Sequence, residues 1–117
     1  MSVSPKFIAM LEDILAPLGS IGVRRMFSGA GVYCDGVMFG LVADDVLHLK
    51  TDTTTRAKFE AEGCGPFAYD VKGRTVATSY WRVPERLYDE PDELVGWSRI
   101  ALGVAGKGRA KKSKADV

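Results

Sequence analysis

The amino-acid sequence predicts an α+β domain in which helices flank an antiparallel sheet, and three observations support this prediction. Amphipathic segments with helical periodicity lie near both ends, at residues 5–18 and 91–104. Short apolar segments with strand character lie between them. The dipeptides Asp35-Gly36 and Lys72-Gly73 separate neighbouring segments, and turns that short join antiparallel strands. Consecutive strands joined in this way favour α+β over a doubly wound parallel sheet.

The first helix is predicted to begin after Ser4, whose hydroxyl can accept an orphan amide hydrogen bond. Pro5 suits the first helical position. Pro17 and Gly19 should end the helix near residues 16–18. The apolar stripe between them comprises Phe7, Ile8, Leu11, Ile14, Leu15 and Leu18.

Four strand segments are predicted in the first half of the chain. They are residues 23–27, 31–34, 37–42 and 46–50, with a weaker turn at Asp44-Asp45. Residues 37–42 have almost no polar face, which predicts an interior strand covered on both sides. His48 and Lys50 alternate with leucines, which predicts that both face solvent.

The second half of the chain predicts a helix, a hairpin and a final helix. The helix should span residues 54–62 and stop at Gly63. The hairpin, residues 67–71 and 76–83, contains Tyr69, Tyr80 and Trp81. The final helix should begin at Pro91, with Asp92 and Glu93 near the positive end of its dipole.

The length of 117 residues fits one domain. We expect it to occupy residues 1–105, followed by a disordered basic tail at 106–117 and no second domain. Residues 107–117 carry a net charge of +4, whereas residues 1–106 hold 11 basic and 14 acidic groups, a net −3. The folded part should therefore be mildly acidic, with the positive charge on the tail.

Composition excludes several classes of protein and predicts a cytoplasmic one. No apolar run approaches the ~20 residues of a membrane span, and the N-terminus has no secretory pattern. Cys34 and Cys64 match neither a disulfide framework nor a zinc motif. The acidic pairs lie at turns and at a helix start, which explains them without a metal.

The sequence offers no convincing catalytic or cofactor site. Gly29-Ala30-Gly31 lacks the third glycine of a dinucleotide-binding fingerprint, so we expect a glycine-rich bend there. His48 has no visible partner for general-base chemistry. The two cysteines lack a redox motif, so we expect buried or semi-buried structural residues, with Cys64, between two glycines, as the more reactive candidate of the two. We therefore predict a protein that is not an enzyme and has no cofactor.

Binding is the remaining class of function. Arg24 and Arg25 should point to opposite faces of a strand, so one of them is a candidate partner contact. Aromatic side chains of the second hairpin favour core or interface packing over base stacking, because few cations are interleaved with them. The tail offers non-specific phosphate contacts through Lys107, Arg109, Lys111, Lys112 and Lys114.

One string in the chain resembles a known family. Residues 24–33, Arg-Arg-Met-Phe-Ser-Gly-Ala-Gly-Val-Tyr, are similar to the opening of the TfoX N-terminal domain, found in the TfoX/Sxy regulators of bacterial competence. The likeness continues through residues 35–42 and 47–50. It resumes at Gly-Pro-Phe-Ala-Tyr (65–69), at Ser-Tyr-Trp-Arg-Val-Pro (79–84) and at the last helix, covering nearly all of residues 5–102.

The resemblance implies a fold like that of secretion chaperones, with a five-stranded antiparallel sheet in the order α-β(3)-α-β(2)-α. Under that order, residues 23–27 and 31–34 would form one bent strand. The resemblance also implies a regulatory domain without catalytic residues. Two-domain members act in the regulation of DNA uptake with the cyclic-AMP receptor protein.

Three hypotheses follow from the residues and the resemblance together. The first is a regulatory, protein-binding module whose partner is a protein such as a transcription regulator, or a second copy in a homodimer. The second is a nucleic-acid accessory protein that uses the tail. The third is a small-ligand binder or enzyme that uses Cys64 or His48. For the first, the predicted contacts are Arg24, Arg25, Phe27, Gly29, Gly31, Tyr69, Tyr80 and Trp81.

Overall fold

The computed structural model describes residues 3–26 and 29–115, with side chains through Lys107. Phe27 therefore lies outside the described residues. The helices are α1 (Pro5–Leu15), α2 (Arg56–Ala61) and α3 (Pro91–Ala115). The strands are β1 (Ile21–Met26), β2 (Gly29–Cys34), β3 (Val37–Ala43), β4 (Val46–Lys50), β5 (Pro66–Val71) and β6 (Arg74–Arg82). Short 3₁₀ segments follow α1 and precede α3, at Ala16–Leu18 and Glu85–Asp89.

The strands form one antiparallel sheet in the order β1-β2-β3-β4-β6-β5. The α+β class is confirmed, but the sheet has six strands and not five. β1 and β2 are separate strands that pair with each other from Ile21↔Cys34 to Met26↔Gly29. The expectation of one bent strand was wrong because residues 21–26 and 29–34 are long enough to form a hairpin of their own.

Three two-residue turns set the local register of the sheet. Asp35 and Gly36 have φ of 49° and 84°, and Asp44 and Asp45 have φ of 52° and 55°. Lys72 and Gly73, with φ of 50° and 78°, repeat the arrangement between β5 and β6. Two successive positive φ values are the signature of a type I′ turn, whose twist matches that of paired strands. The hairpins predicted at all three dipeptides are therefore present.

The helices cover one face of the sheet and form the core with it. One row of register partners crosses all six strands on this side: Val23, Val32, Gly40, Leu49, Trp81 and Pro66. Leu11 and Leu15 of α1 and Leu94 of α3 pack there and are fully buried. Phe59 of α2 contacts the rings of both Trp81 and Trp97, at centroid distances of 6.4 and 4.9 Å.

A bulge in β3 turns an additional residue toward the core. Val32 pairs with Gly40 and Tyr33 with Met38, so Phe39 has no direct partner and is fully buried. Gly40 lies directly over the core, where a Cβ would meet Leu47 Cδ1 and Val32 Cβ, each at 3.3 Å. The lack of a side chain at residue 40 therefore makes room for Val32 and Leu47.

The prediction for residues 37–42 is only partly right. β3 is interior to the sheet order, as expected, but in the described structure helices pack on only one of its faces. Met38 and Leu41 point to the other side and remain partly exposed. The strand lacks a polar face because its uncovered side is also apolar.

The start of the first helix agrees with the sequence prediction, whereas the end of the last helix differs from it. Ser4 caps α1, accepting a hydrogen bond from the Phe7 amide at 3.1 Å. α3 begins at Pro91 as predicted but continues to Ala115, where the sequence predicts a disordered tail. Alanine, lysine and arginine are strong helix formers, and no proline follows Pro91 to interrupt them. The domain end at residue 105 stays a prediction.

Arg86 joins the end of α2 to the beginning of α3. Its guanidinium donates to both carboxylate oxygens of Glu62, to Glu90 at 2.5 Å and to Glu93 at 2.7 and 3.0 Å. These hydrogen bonds lower the pKa of Glu62 and of Glu93. One cation thus neutralises part of a cluster of three carboxylates that would otherwise repel one another.

Replacing Gly40 with valine should destabilise the fold by about 1–3 kcal/mol, because the added methyl groups would overpack the core between Val32 and Leu47. Urea unfolding measures the change. Gly22→Val is the matched control, since a Cβ at Gly22 of β1 meets nothing within 4 Å. The control should stay within about 0.5 kcal/mol of wild type. Equal effects of the two substitutions would contradict this account of Gly40.

Replacing Arg86 with methionine should lower the melting temperature at pH 7. Because the folded-state pKa values of Glu62 and Glu93 are lowered, the stability they contribute is present above the unfolded pKa of ~4.3 and is lost as pH falls further. The variant should therefore lose less stability on acidification than wild type, and added salt should partly restore it. Arg99→Met, at an exposed position of α3, should show neither effect.

Candidate functional site: the open face of the sheet

The side of the sheet opposite the helices is the main uncovered surface of the described structure, and we call it the open face. One row of register partners crosses five strands on this side: Arg24, Gly31, Leu41, His48 and Arg82. Tyr33 with Met38 and Lys50 with Tyr80 lie on the same side, one pleat further along. Most of these side chains are partly or fully exposed.

Gly31 forms the floor of an apolar cluster near the β1–β3 end of the open face. A Cβ at this position would lie 2.7 Å from Met26 Cε, 3.0 Å from Tyr33 Cε1 and 3.2 Å from Met38 Cε. The three side chains therefore close over the glycine backbone. Two thioethers and one ring give this cluster a deformable surface, because methionine adapts easily to irregular shapes.

Three cations lie among these apolar groups. The Arg24 guanidinium is 5.5 Å from the Tyr33 ring centroid, and Lys50 Nζ is 5.4 Å from that of Tyr80. Lys50 also donates to Ser79 Oγ at 2.6 Å. Arg82 is exposed at the end of β6. In the part of the chain that the structure describes, no carboxylate is within ion-pair distance of these three cations.

Acidic residues are absent from the strand positions described on this side. Asp35, in the turn after β2, shares a hollow of about 240 Å³ with Arg24 and Tyr33. Glu85 and Asp45 border a second hollow beside Arg82, of about 440 Å³. These carboxylates thus lie at the margins of the open face. The open face itself carries positive charges among apolar side chains.

His48 contradicts its predicted exposure, because its side chain is only 7% exposed. Its ring meets Phe67 edge-on at a centroid distance of 5.3 Å, and Nδ1 lies 3.3 Å from the Leu41 carbonyl oxygen. Burial, and secondarily the charge of Arg82, lowers the pKa of His48. Alternation within β4 alone could not predict this, since Phe67 comes from β5, far along the chain.

The β5 edge extends the aromatic surface. Phe67 stacks on Tyr69, with centroids 6.4 Å apart and planes at 29°. Tyr69 is 46% exposed, one of the few large apolar side chains of the described structure left so open. The open face therefore runs from Arg24 at one edge of the sheet to Tyr69 at the other.

The structure brings together only some of the predicted contact residues. Arg24, Gly31, Tyr69 and Tyr80 lie on the open face. Arg25 points to the opposite side, as the alternation predicts, and its Nη1 donates to the Val3 carbonyl at 2.8 Å.

Trp81 lies on the other side, where it packs against Phe59 in the core. Gly29 shares the side of Gly31 by register, as the partner of Met26. The predicted glycine-rich bend was wrong, because residues 29–31 are part of the extended strand β2. A Cβ at Gly29 would be 2.5 Å from the Val42 carbonyl oxygen, so this glycine allows a close approach of backbone.

Of the five cations predicted to contact phosphate, the structure describes the side chain of Lys107 alone. Lys107 is exposed. Hydrogen bonds from the Thr55 and Thr54 amides lower the pKa of Asp52, and the charge of Lys107 adds a smaller contribution in the same direction. The side chains of Arg109, Lys111, Lys112 and Lys114 lie outside the described ones. Phosphate contact by the tail stays a prediction.

Neither thiol is placed for nucleophilic chemistry. Cys34 and Cys64 are free and buried. Burial raises the pKa of both thiols, and Asp35 raises that of Cys34 further. This environment corrects the view of Cys64 as a reactive candidate, since a loop between glycines still packs its thiol against the core. The described residues contain no group of three or more His, Cys, Asp or Glu side chains suited to a metal.

The sequence did not single out seven of the residues described above on the open face: Met26, Tyr33, Met38, Leu41, Lys50, Phe67 and Arg82. The turn dipeptides could have revealed part of the set. A two-residue turn at Asp35-Gly36 pairs Cys34 with Val37 and so places Tyr33 beside Met38. A similar turn at Asp44-Asp45 pairs Leu41 with His48. The contribution of β5 and β6 has no such local signal.

The architecture is therefore an open antiparallel sheet of six strands with helices packed on one face. The family model of the TfoX N-terminal domain matches residues 13–105, and the chain belongs to this family. No helix of the described residues is long and apolar enough to span a membrane.

Two curated relatives match most of the chain. It is 37% identical over 104 residues to the DNA transformation protein TfoX1 of Aliivibrio fischeri, covering 87% of this chain and 49% of the relative. It is 29% identical over 112 residues to Protein Sxy of Escherichia coli, covering 96% of this chain and 54% of the relative. The chain thus spans about half the length of the curated relatives it matches.

Stability should fall as pH drops below about 6.5, because the unfolded chain binds a proton at His48 before the folded chain does. The contribution is fully present above that pH and is lost toward the lowered folded-state pKa. Urea unfolding of wild type and His48→Gln between pH 7.5 and 5 measures it, and the difference between the two proteins should shrink on acidification. A difference that is constant across this range would rule out a buried neutral imidazole.

Proposed function

We propose that this chain is a non-enzymatic regulatory module that binds a protein partner through the open face, in a process linked to DNA transformation. The observation that carries the proposal is the face of the sheet that the helices do not cover, which is apolar and bears cations. Family membership and the name of the Aliivibrio relative support the link to transformation. Because the chain spans about half of that relative, the link to DNA transformation is part of the proposal.

Binding is supported by the chemistry of the open face. Met38, Leu41 and Tyr80 are apolar and only partly buried, although a sheet face turned to solvent usually alternates to polar residues. Contiguous exposed apolar surface marks interaction sites in soluble domains. Tyrosine, methionine and arginine are also the residue types enriched in protein interfaces. The open face combines all three.

A non-enzymatic role is supported by the condition of the reactive groups. His48 is buried against Phe67, so its imidazole cannot reach a substrate without rearrangement of the sheet. Both thiols are buried with raised pKa values, which keeps them in the unreactive protonated form.

The functional test is complementation in the native host. Deletion of the gene should reduce the frequency of DNA transformation, and the wild-type gene should restore it. Met38→Glu, which places a charge in the apolar cluster over Gly31, should reduce restoration by about tenfold or more, the usual cost of disrupting an interface hot spot.

The matched control is Ile100→Glu, since Ile100 is 48% exposed on α3, away from the open face. It should complement like wild type at equal protein abundance, and circular dichroism should show both variants folded. Full complementation by Met38→Glu would contradict the role of the open face. Unchanged transformation after deletion would contradict the link to DNA transformation.

A further inference from the structure

We infer that the open face recognises an acidic, apolar segment of its protein partner, in which carboxylates flank hydrophobic anchor side chains. The inference rests on the proposed function and specifies the chemistry of the partner. It depends on the distribution of charge across the row from Arg24 to Arg82 and on the groups between these two ends.

The charges of the open face are all of one sign. Arg24, Lys50 and Arg82 lie on β1, β4 and β6, and the described strand positions on this side include no aspartate or glutamate. Residues 1–106 as a whole carry a net charge of −3, so the surface outside the open face is acidic in balance. The positive face is therefore a local feature that would attract carboxylates and repel other basic surfaces.

Two of the three cations are also held in place. Arg24 lies over the Tyr33 ring and Lys50 over the Tyr80 ring, with Lys50 fixed further by Ser79 Oγ. Ordering a long side chain on binding costs about 0.5–1.5 kcal/mol, and a preorganised one avoids part of that cost. Arginine additionally matches a carboxylate with two parallel hydrogen bonds.

The apolar groups between the cations provide the anchor site. Met26 and Met38 close over Gly31 with terminal methyl groups that can move without moving backbone, and the edge of the Tyr33 ring lies beside them. Such a cluster can accept a leucine or an aromatic side chain by displacing flexible thioethers. An apolar site bordered by cations is complementary to a partner segment whose apolar side chains are flanked by carboxylates.

Two other occupants fit the charges less well. A second copy seated face to face would bring two sets of Arg24, Lys50 and Arg82 together, and like charges across an interface cost binding energy. Single-stranded nucleic acid would place a phosphate at every nucleotide over a domain that is acidic in balance. An acidic peptide needs only a few carboxylates beside its apolar side chains, which the three separated cations can match.

A random library of 12-residue peptides displayed on phage tests the inference on the full 117-residue chain. Peptides are selected on wild type and counter-selected on the Arg24→Gln/Lys50→Gln/Arg82→Gln variant. The enriched peptides should be acidic and apolar, and they should bind the variant at least about fivefold more weakly at low salt, as expected for three partly exposed ion pairs. The control variant Lys6→Gln/Arg56→Gln/Arg99→Gln removes three exposed cations elsewhere and should bind like wild type.

Methionine-methyl NMR locates the binding. Met26 and Met38 resonances should shift on addition of the enriched peptide, whereas Met10 of α1 should not. Enrichment of neutral or basic peptides, no enrichment at all, or equal binding to both variants would overturn the inference. A stronger Met26 and Met38 response to oligo(dT), or a response to protein concentration alone, would also overturn it, in favour of nucleic acid or a second copy. In each of these cases, loss of complementation by Met38→Glu would still support a role of the open face in DNA transformation, so the two failures can be told apart.

Discussion

The pairing of β4 with β6 is the interaction on which the rest of the structure depends. β1–β4 form a meander through local turns, and β5–β6 form a separate hairpin through another. The register Lys50↔Tyr80, Leu49↔Trp81 and His48↔Arg82 joins them. Hydrogen bonds from the Thr51 amide to the Ser79 carbonyl and from the Val83 amide to the Leu47 carbonyl extend this pairing at both ends. The register also brings Trp81 under Phe59, which in turn contacts Trp97 of α3. The same three residue pairs thus complete the sheet, seal the core and place Arg82 and Tyr80 on the open face.

The two faces of the sheet follow different physical demands. On the covered face, close packing leaves no space for a side chain at Gly40, and the bulge turns Phe39 into the core. On the open face, Gly31 carries no side chain either, but the atoms above it are flexible methionine and tyrosine ends. A core needs rigid complementarity, whereas a binding surface benefits from groups that can adjust to a partner.

An apolar sheet face left to solvent carries a risk of non-specific association. Arg24 and Lys50 reduce that risk, because each covers an aromatic ring while it keeps a charge in water, and Arg82 adds a third exposed charge. Under the proposed binding role, the same cations would also select among partners by charge.

Much of the architecture was determined by the sequence alone, since its signals are local. Ser4 and Pro5 define the start of α1, and the Asp-Gly, Asp-Asp and Lys-Gly dipeptides define hairpins because type I′ turns need positive φ. The apolar string of β3 placed it inside the sheet. The six-strand count was also within reach, because the residues of β1 and β2 are separate segments, and the five-strand expectation came from the resemblance.

Only the tertiary structure decided which residues share the open face. His48 is buried because Phe67 crosses to it from a strand almost twenty residues away, and no alternation within β4 reports that contact. Trp81 and Tyr80 are adjacent in sequence, yet one lies in the core and the other on the surface, according to the register of β6 on β4. Long-range pairing selects one register among those that local propensity allows, and that selection assigns every side chain to a face.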